Sequence, residues 1–301
     1  MAEPAKRVIE AAIFRDFACH SERSEESQRR LHEAAHGKLH MDRLTDVRYW
    51  EEQWWKKIRP SRLHLYRDFD YEAVQLLRRS AGHEPSRVLE LGAGGSRVLP
   101  FLAAKFRHNV FGADFSPNGC KLLRDNLALA RVNGNVVCED LFQSSFKAEQ
   151  FDLVFSCGLI EHFAGVRAAI EQHIQLLRPG GRVVLIIPNL QGLQGKVLKR
   201  LAPPLWARHR VFGPADLAKD LRALGLREVQ SGYLGSFFLQ LGLGSDWTAL
   251  QGWPKPAQRA AYSSVRLVNA AISLGFRFLP VRPHSRMFST GFFACGLKPE
   301  R

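Results

Sequence analysis

The sequence predicts an α/β protein: a doubly wound, mostly parallel sheet with helices on both faces. Three observations lead there. Short apolar runs alternate with amphipathic stretches from Arg87 to about Leu224, the pattern of strands joined by crossover helices. The chain has 301 residues, room for one large domain or two small ones. Its 46% hydrophobic and 24% charged residues are an ordinary globular composition, which excludes wholesale disorder, collagen-like repeats and a coiled coil.

Residues 1–40 carry no sustained apolar period, and Ser21-Glu22-Arg23-Ser24-Glu25-Glu26-Ser27 is a polar near-repeat. They are expected to be a disordered or loosely helical extension. The stretch from Cys19 to Leu31 looks like translated repeat sequence, which makes Met41 a candidate start. From there one domain is expected over 41–301. It opens with an aromatic segment, Tyr49-Trp50-Glu51-Glu52-Gln53-Trp54-Trp55, and a helix over Phe69 to Ala81 that Gly82 stops. Strands are expected at Arg87–Leu91, Val110–Ala113, Asn135–Glu139, Phe151–Ser156 and Gly181–Pro188, with helices starting near Ser96, Ser116, Phe163, Gln191 and Pro214. A strand over Leu226 to Phe238, an insertion over 239–289 with a helix from Pro256 to Leu279, and a strand over Gly291–Leu297 complete the reading.

In such sheets ligands bind beyond the carboxyl ends of the strands. The first strand runs into Gly92-Ala93-Gly94-Gly95-Ser96, a loop that brings backbone close to a ligand with no Cβ in the way. A dinucleotide site uses a similar loop, and Asp114, 22 residues after Gly92, fits either reading. Two residues favour another ligand. Arg97 stands where a dinucleotide fingerprint wants a small residue, and Glu90 places an acid that would repel a pyrophosphate but attract an ammonium or sulfonium.

These residues begin an ordered series. Glu90-Leu91-Gly92-Ala93-Gly94, Gly112-Ala113-Asp114-Phe115-Ser116, Glu139-Asp140-Leu141, Phe151-Asp152-Leu153-Val154-Phe155-Ser156 followed by Glu161-His162-Phe163, and Leu177-Arg178-Pro179-Gly180-Gly181 together resemble the motifs of class I S-adenosylmethionine-dependent methyltransferases. The likeness spans about Met41 to Pro299, with Ser96 departing from a third glycine. It implies a seven-stranded Rossmann-like sheet whose last strand is antiparallel. It also implies S-adenosylmethionine as cofactor, held by Glu90, Gly92, Ala93, Gly94, Asp114, Phe115, Asp140, Leu141 and Cys157. Methyl transfer from a sulfonium needs alignment above all, with proton removal when the acceptor is a hydroxyl or amine. His162, with Glu161 beside it, is the candidate base; the plainer reading is that the pair orients the next helix. No metal site is expected.

Five scattered cysteines, Cys19, Cys120, Cys138, Cys157 and Cys295, argue for a reducing, cytoplasmic setting. The chain carries 43 Lys and Arg against 29 Asp and Glu, a net of +14. The excess lies after Leu190, so the C-terminal third meets an anionic partner or is simply a solvated face. In the helix after Pro256, Val265, Leu267, Val268, Ala271, Ile272 and Phe276 read as one apolar face, while Arg259, Arg266, Arg277 and Arg282 add charge. Packing on its own domain is the plainer reading; peripheral contact with a membrane is the other. The insertion, with Trp247 and Trp253, and the segment Tyr49 to Trp55 read as cover for the acceptor pocket, and Phe237 and Phe238 join these aromatics beside the basic charges. A small-molecule or lipid-like acceptor is expected. An RNA methyltransferase using the basic region and a non-catalytic cofactor-binding protein are the alternatives.

Overall fold

The computed structural model describes residues 43–55, 58–82, 85–236, 252–278 and 284–300. The expectations for residues 1–40 and for Phe237, Phe238, Trp247 and Arg282 lie outside these. One compact unit spans Leu44–Arg301. Its elements are α1 (Asp68–Ala81), β1 (Arg87–Leu91), α2 (Val98–Phe106), β2 (Asn109–Asp114), α3 (Pro117–Ala130), β3 (Asn135–Cys138), β4 (Phe151–Cys157), α4 (Val166–Leu176), β5 (Leu177–Pro188), α5 (Leu193–Leu201), α6 (Pro203–Trp206), α7 (Pro214–Ala223), β6 (Arg227–Leu234), α8 (Lys255–Phe278) and β7 (Gly291–Leu297).

The seven strands lie in the order β3-β2-β1-β4-β5-β7-β6. β7 is antiparallel to both its neighbours, β5 and β6, while the pairs among β1 to β5 are parallel. Every central strand is apolar on both faces, because helices cover both. Leu89, Val154, Val183, Leu185, Ile187 and Phe292 pack under α4 and α7. Their alternating neighbours Val88, Leu153, Phe155, Val184, Ile186 and Cys295 pack under α1, α2 and α3. Strand alternation thus sends successive side chains into two cores.

Three boundaries differ from the sequence reading by three residues or more. β5 starts at Leu177, and a register shift between Phe151↔Leu177 and Leu153↔Arg182 takes up the Pro179-Gly180-Gly181 segment. β6 stops at Leu234, where the backbone bends through Gly235 at φ +69°. The helix after β4 begins at Val166, since Ile160–His162 form a separate 3-10 turn. The connection between β1 and β2 closes on the switch point of the sheet, where β1 has β2 on one side and β4 on the other. There the carboxyl ends of three strands open onto one cleft.

Candidate functional site

The cleft is built first by the loop after β1. Gly92 and Gly95 adopt φ of +69° and +62°, which a residue with a Cβ takes up only with strain. A Cβ on Gly94 would lie 2.7 Å from Asp114 Oδ2 and 2.7 Å from the Trp55 ring. The loop is therefore a cradle that any larger residue would fill.

Asp114 ends β2. Its carboxylate accepts hydrogen bonds from Gly94 N (2.7 Å) and Ser116 N (2.8 Å), so two backbone amides fix its orientation. Glu90 is buried, and Ser96 Oγ donates to its Oε2 at 2.5 Å. The same hydroxyl caps α2, accepting from Val98 N and Leu99 N at 3.2 Å each. Ser96, the departure from a third glycine, is thus a positioning contact for Glu90. Burial, and then the Asp114 charge, push Glu90 up to about 8 against the pull of the Ser96 hydrogen bond; near neutral pH it is an uncharged acid awaiting a cation.

Asp140 caps the turn Leu141–Gln143 by accepting from Phe142 N at 2.9 Å, and Leu141 packs against the core beneath α4. Phe115 is half-buried between Asp114 and Ser116. Cys157 closes β4; desolvation and the carboxylates of Glu90, Glu161 and Asp70 hold its thiol above the usual range.

Glu161 and His162 sit in the turn after β4, both buried. Neither Glu161 carboxylate oxygen has a hydrogen-bond partner, and burial pushes the group up to about 8. His162 Nδ1 lies 2.9 Å from the carbonyl oxygen of Arg208. A carbonyl only accepts, so Nδ1 carries the proton and Nε2 keeps its lone pair. Burial, then the neighbouring His209, hold His162 down to about 3, so the ring is neutral. Its Nε2 is 3.9 Å from Glu161 Oε1.

Several residues at this cleft carry no sequence signal of their role. A π-helical turn, Tyr49–Trp54, followed by Trp55 covers the glycine loop. The Trp55 ring lies against Gly94, Gly95 and Gly119, and its buried Nε1 has no partner. Glu51 accepts from Ser116 Oγ, Asn118 N (2.9 Å) and Asn118 Nδ2 at the start of α3, a carboxylate at a helix N-terminus. Trp50 meets the His162 ring edge-on at 5.1 Å, and His209 lies 4.5 Å from it, centroid to centroid. His209 Nδ1 is 2.7 Å from Leu205 O, which leaves its Nε2 unprotonated as well. Asp70, whose carboxyl desolvation holds above its usual range with Arg67 and Arg97 opposing, completes the acids. The aromatic richness of Tyr49 to Trp55 was the one visible hint; the partners of Glu51 and His209 are set by chain segments far away in sequence.

The donor set decides what fits. The acids Glu51, Asp70, Glu90, Asp114, Asp140 and Glu161, a glycine cradle and the orphaned Nε1 of Trp55 suit a ligand with a cationic end and hydroxyl groups, and do not suit a polyphosphate. Among the described residues no cluster of His, Cys, Asp and Glu is arranged to hold a metal ion.

The comparisons agree with this geometry. The family model described as a methyltransferase domain matches residues 89–185. A ubiquinone biosynthesis O-methyltransferase of Xanthomonas axonopodis pv. citri is 29% identical over 203 residues, 63% of this chain and 82% of that protein. One from Coxiella burnetii is 26% identical over 135 residues, 44% of this chain and 55% of that one. Solved structures share the fold. Phosphoethanolamine N-methyltransferase 2 of Haemonchus contortus, in complex with S-adenosyl-L-methionine, superposes with a TM-score of 0.51 at 16% identity, covering 76% of this chain and 53% of that one. A methyltransferase-like protein of Bacillus halodurans gives 0.51 at 17% identity over 76% and 99%. Residues 89–185 match a methyltransferase domain, and motif order, strand order and these similarities together support a class I S-adenosylmethionine-dependent methyltransferase.

Proposed function

We propose that the enzyme methylates a hydroxyl group on a small, ring-bearing acceptor, with His162 as the base. One observation carries this reading: the His162 tautomer, fixed by Arg208 O, presents an unprotonated Nε2 inside an aromatic pocket formed with Trp50 and His209. The O-methyltransferase names of the relatives support it. The pocket's flat rings favour a flat apolar acceptor.

S-adenosylmethionine supplies, when bound, a methyl group on a cationic sulfur. Glu90 and Asp70 suit its ammonium end, Gly92, Ala93 and Gly94 would let the backbone run beside it with little side chain in the way, Asp114 suits the ribose hydroxyls, and Phe115, Asp140 and Leu141 suit the adenine. Cys157 lines the cleft floor. His162 Nε2 would take the acceptor's hydroxyl proton as that oxygen bonds to the methyl carbon, whose bond to sulfur breaks to leave a neutral thioether. The imidazolium then stands 3.9 Å from Glu161 Oε1, so the new charge pulls that carboxyl toward its ionised form. Trp50 and Trp55 keep water away from both reactants. Alignment supplies the larger share of the rate, up to about 7–11 kcal/mol in the best cases.

The test is a panel of phenols and matched amines incubated with the full chain and labelled cofactor, with products identified by mass spectrometry. A methyl ether is the expected product. His162→Gln should lower kcat by about 10²–10⁴-fold with cofactor affinity retained. Methylation of amines alone, or an unaffected His162→Gln enzyme, would refute the reading.

A further inference from the structure

The helix α8 buries two polar residues and leaves a row of apolar ones exposed. Over its 24 residues the side chains turned inward include Asn269 and Ser273, at 4% and 1% exposure. They meet Tyr66, Arg67 and Arg266 around a small cleft before α1, and Ser273 Oγ has no partner there. Several apolar residues are turned outward. Leu267 is 71% exposed, Leu274 49% and Phe278 79%, with Val268 at 48% beside them. Ala260, Ala271 and these residues share a stripe, because 260, 267, 271, 274 and 278 fall within about 60° of one another at 3.6 residues per turn. The single apolar face expected from sequence is therefore split. Val265, Ile272 and Phe276 are half-buried, while Leu267, Val268 and Ala271 face solvent.

The charge beside the stripe is of one sign. Arg259 and Arg266 are exposed and lie on one flank, a quarter turn from Leu267. From Trp247 to Pro299 the sequence contains no Asp or Glu, against Lys255, Arg259, Arg266, Arg277, Arg282, Arg286 and Lys298. This argues against self-pairing. Two copies joined along the stripe would bring arginine flanks together with no acid to answer them. Nucleic acid would use the arginines but has no use for exposed Leu267 and Phe278. No described helix is long and apolar enough to cross a membrane. A helix of about 36 Å with an apolar stripe and a cationic border suits the plane of a bilayer surface.

We propose that α8 is a docking surface for an anionic lipid bilayer, Leu267, Leu274 and Phe278 entering the acyl boundary and Arg259 and Arg266 meeting the headgroups. The surface does not depend on which acceptor the cleft takes. Flotation of the full chain with phosphatidylcholine vesicles, with and without phosphatidylglycerol, tests it. Binding should require phosphatidylglycerol and weaken as salt rises. Replacing Arg259 or Arg266 by Gln should lower partitioning about fivefold each. Leu274→Glu with Phe278→Glu should abolish it, while circular dichroism and cofactor binding stay unchanged, since these side chains are exposed. Three results would overturn the proposal: no vesicle binding, binding indifferent to all four residues, or a soluble dimer broken by Phe278→Glu with no vesicle association.

Discussion

At the scale of single residues, the buried acids Glu90 and Glu161 set the electrostatics of the cleft. Both carboxyls are held up to about 8 by burial, so near neutral pH both carry protons. A cationic ligand favours the ionised form, and Glu90 should therefore release a proton as cofactor binds. Calorimetric enthalpies in buffers of different ionisation heat should reveal that release, and Glu90→Gln should remove most of it. Ser96→Gly should destabilise the protein by about 1–3 kcal/mol, because it strips a buried carboxyl of its donor; a thermal melt reads this. The acids were legible in the sequence because each ends a strand in a recognisable order. Tyr49 to Trp55 was legible as cover, but the contacts of Glu51 and the role of His209 were not. Glu51 meets Asn118 across 67 positions and His162 meets Arg208 across 46, and periodicity carries no information at such range.

Among the elements, the turn Tyr49–Trp54 has the weakest internal support. Glu51 ties it to the start of α3, Tyr49 packs with Ala202 and Leu205, and Trp54 Nε1 donates to Tyr49 Oη at 2.7 Å. Glu51→Ala should leave the core intact but loosen this cover, so that proteolysis within 43–58 quickens and cofactor dissociates faster. Unchanged cleavage would show that Trp55 and the packing of Tyr49 hold the segment. The α1 helix is tethered differently: Asp68 and Glu72 accept from Ser236 N and Gly235 N at 2.5 and 2.8 Å, which pins its first turn to the end of β6. Strands read well from sequence because alternating burial writes itself into apolar runs; β1 and β7 matched at both ends. β5 began early because its first residues pair before a shift in register, and β6 ended early because Gly235 turns the chain. A π-helical turn has no sequence period to read.

For the whole molecule, pH couples these groups to stability with a definite sign. Glu90 and Glu161, raised from 4.5 to about 8, contribute stability that is full below about 4.5 and lost as pH rises through about 8. His162 and His173, lowered from 6.5 to about 3 and about 4, contribute stability present above about 6.5 and lost as pH falls. Between about 6.5 and 8 the carboxyls act alone, so the melting temperature of the ligand-free enzyme should fall across that window. Saturating cofactor should flatten the fall. A rising or level profile without cofactor would show that neither acid is held protonated. The sheet order carries a further consequence, one of timing. β7 lies between β5 and β6, yet roughly 100 residues separate the end of β5 from its start, on the order of 5–20 seconds of synthesis at about 5–20 residues per second. Throughout that interval the apolar run Val183-Val184-Leu185-Ile186-Ile187 is an open edge on a growing chain, the kind of edge that recruits other strands. Yield in the cell should therefore depend on whatever shields this edge until Gly291 to Leu297 emerge, and a slower ribosome lengthens the exposure instead of easing it.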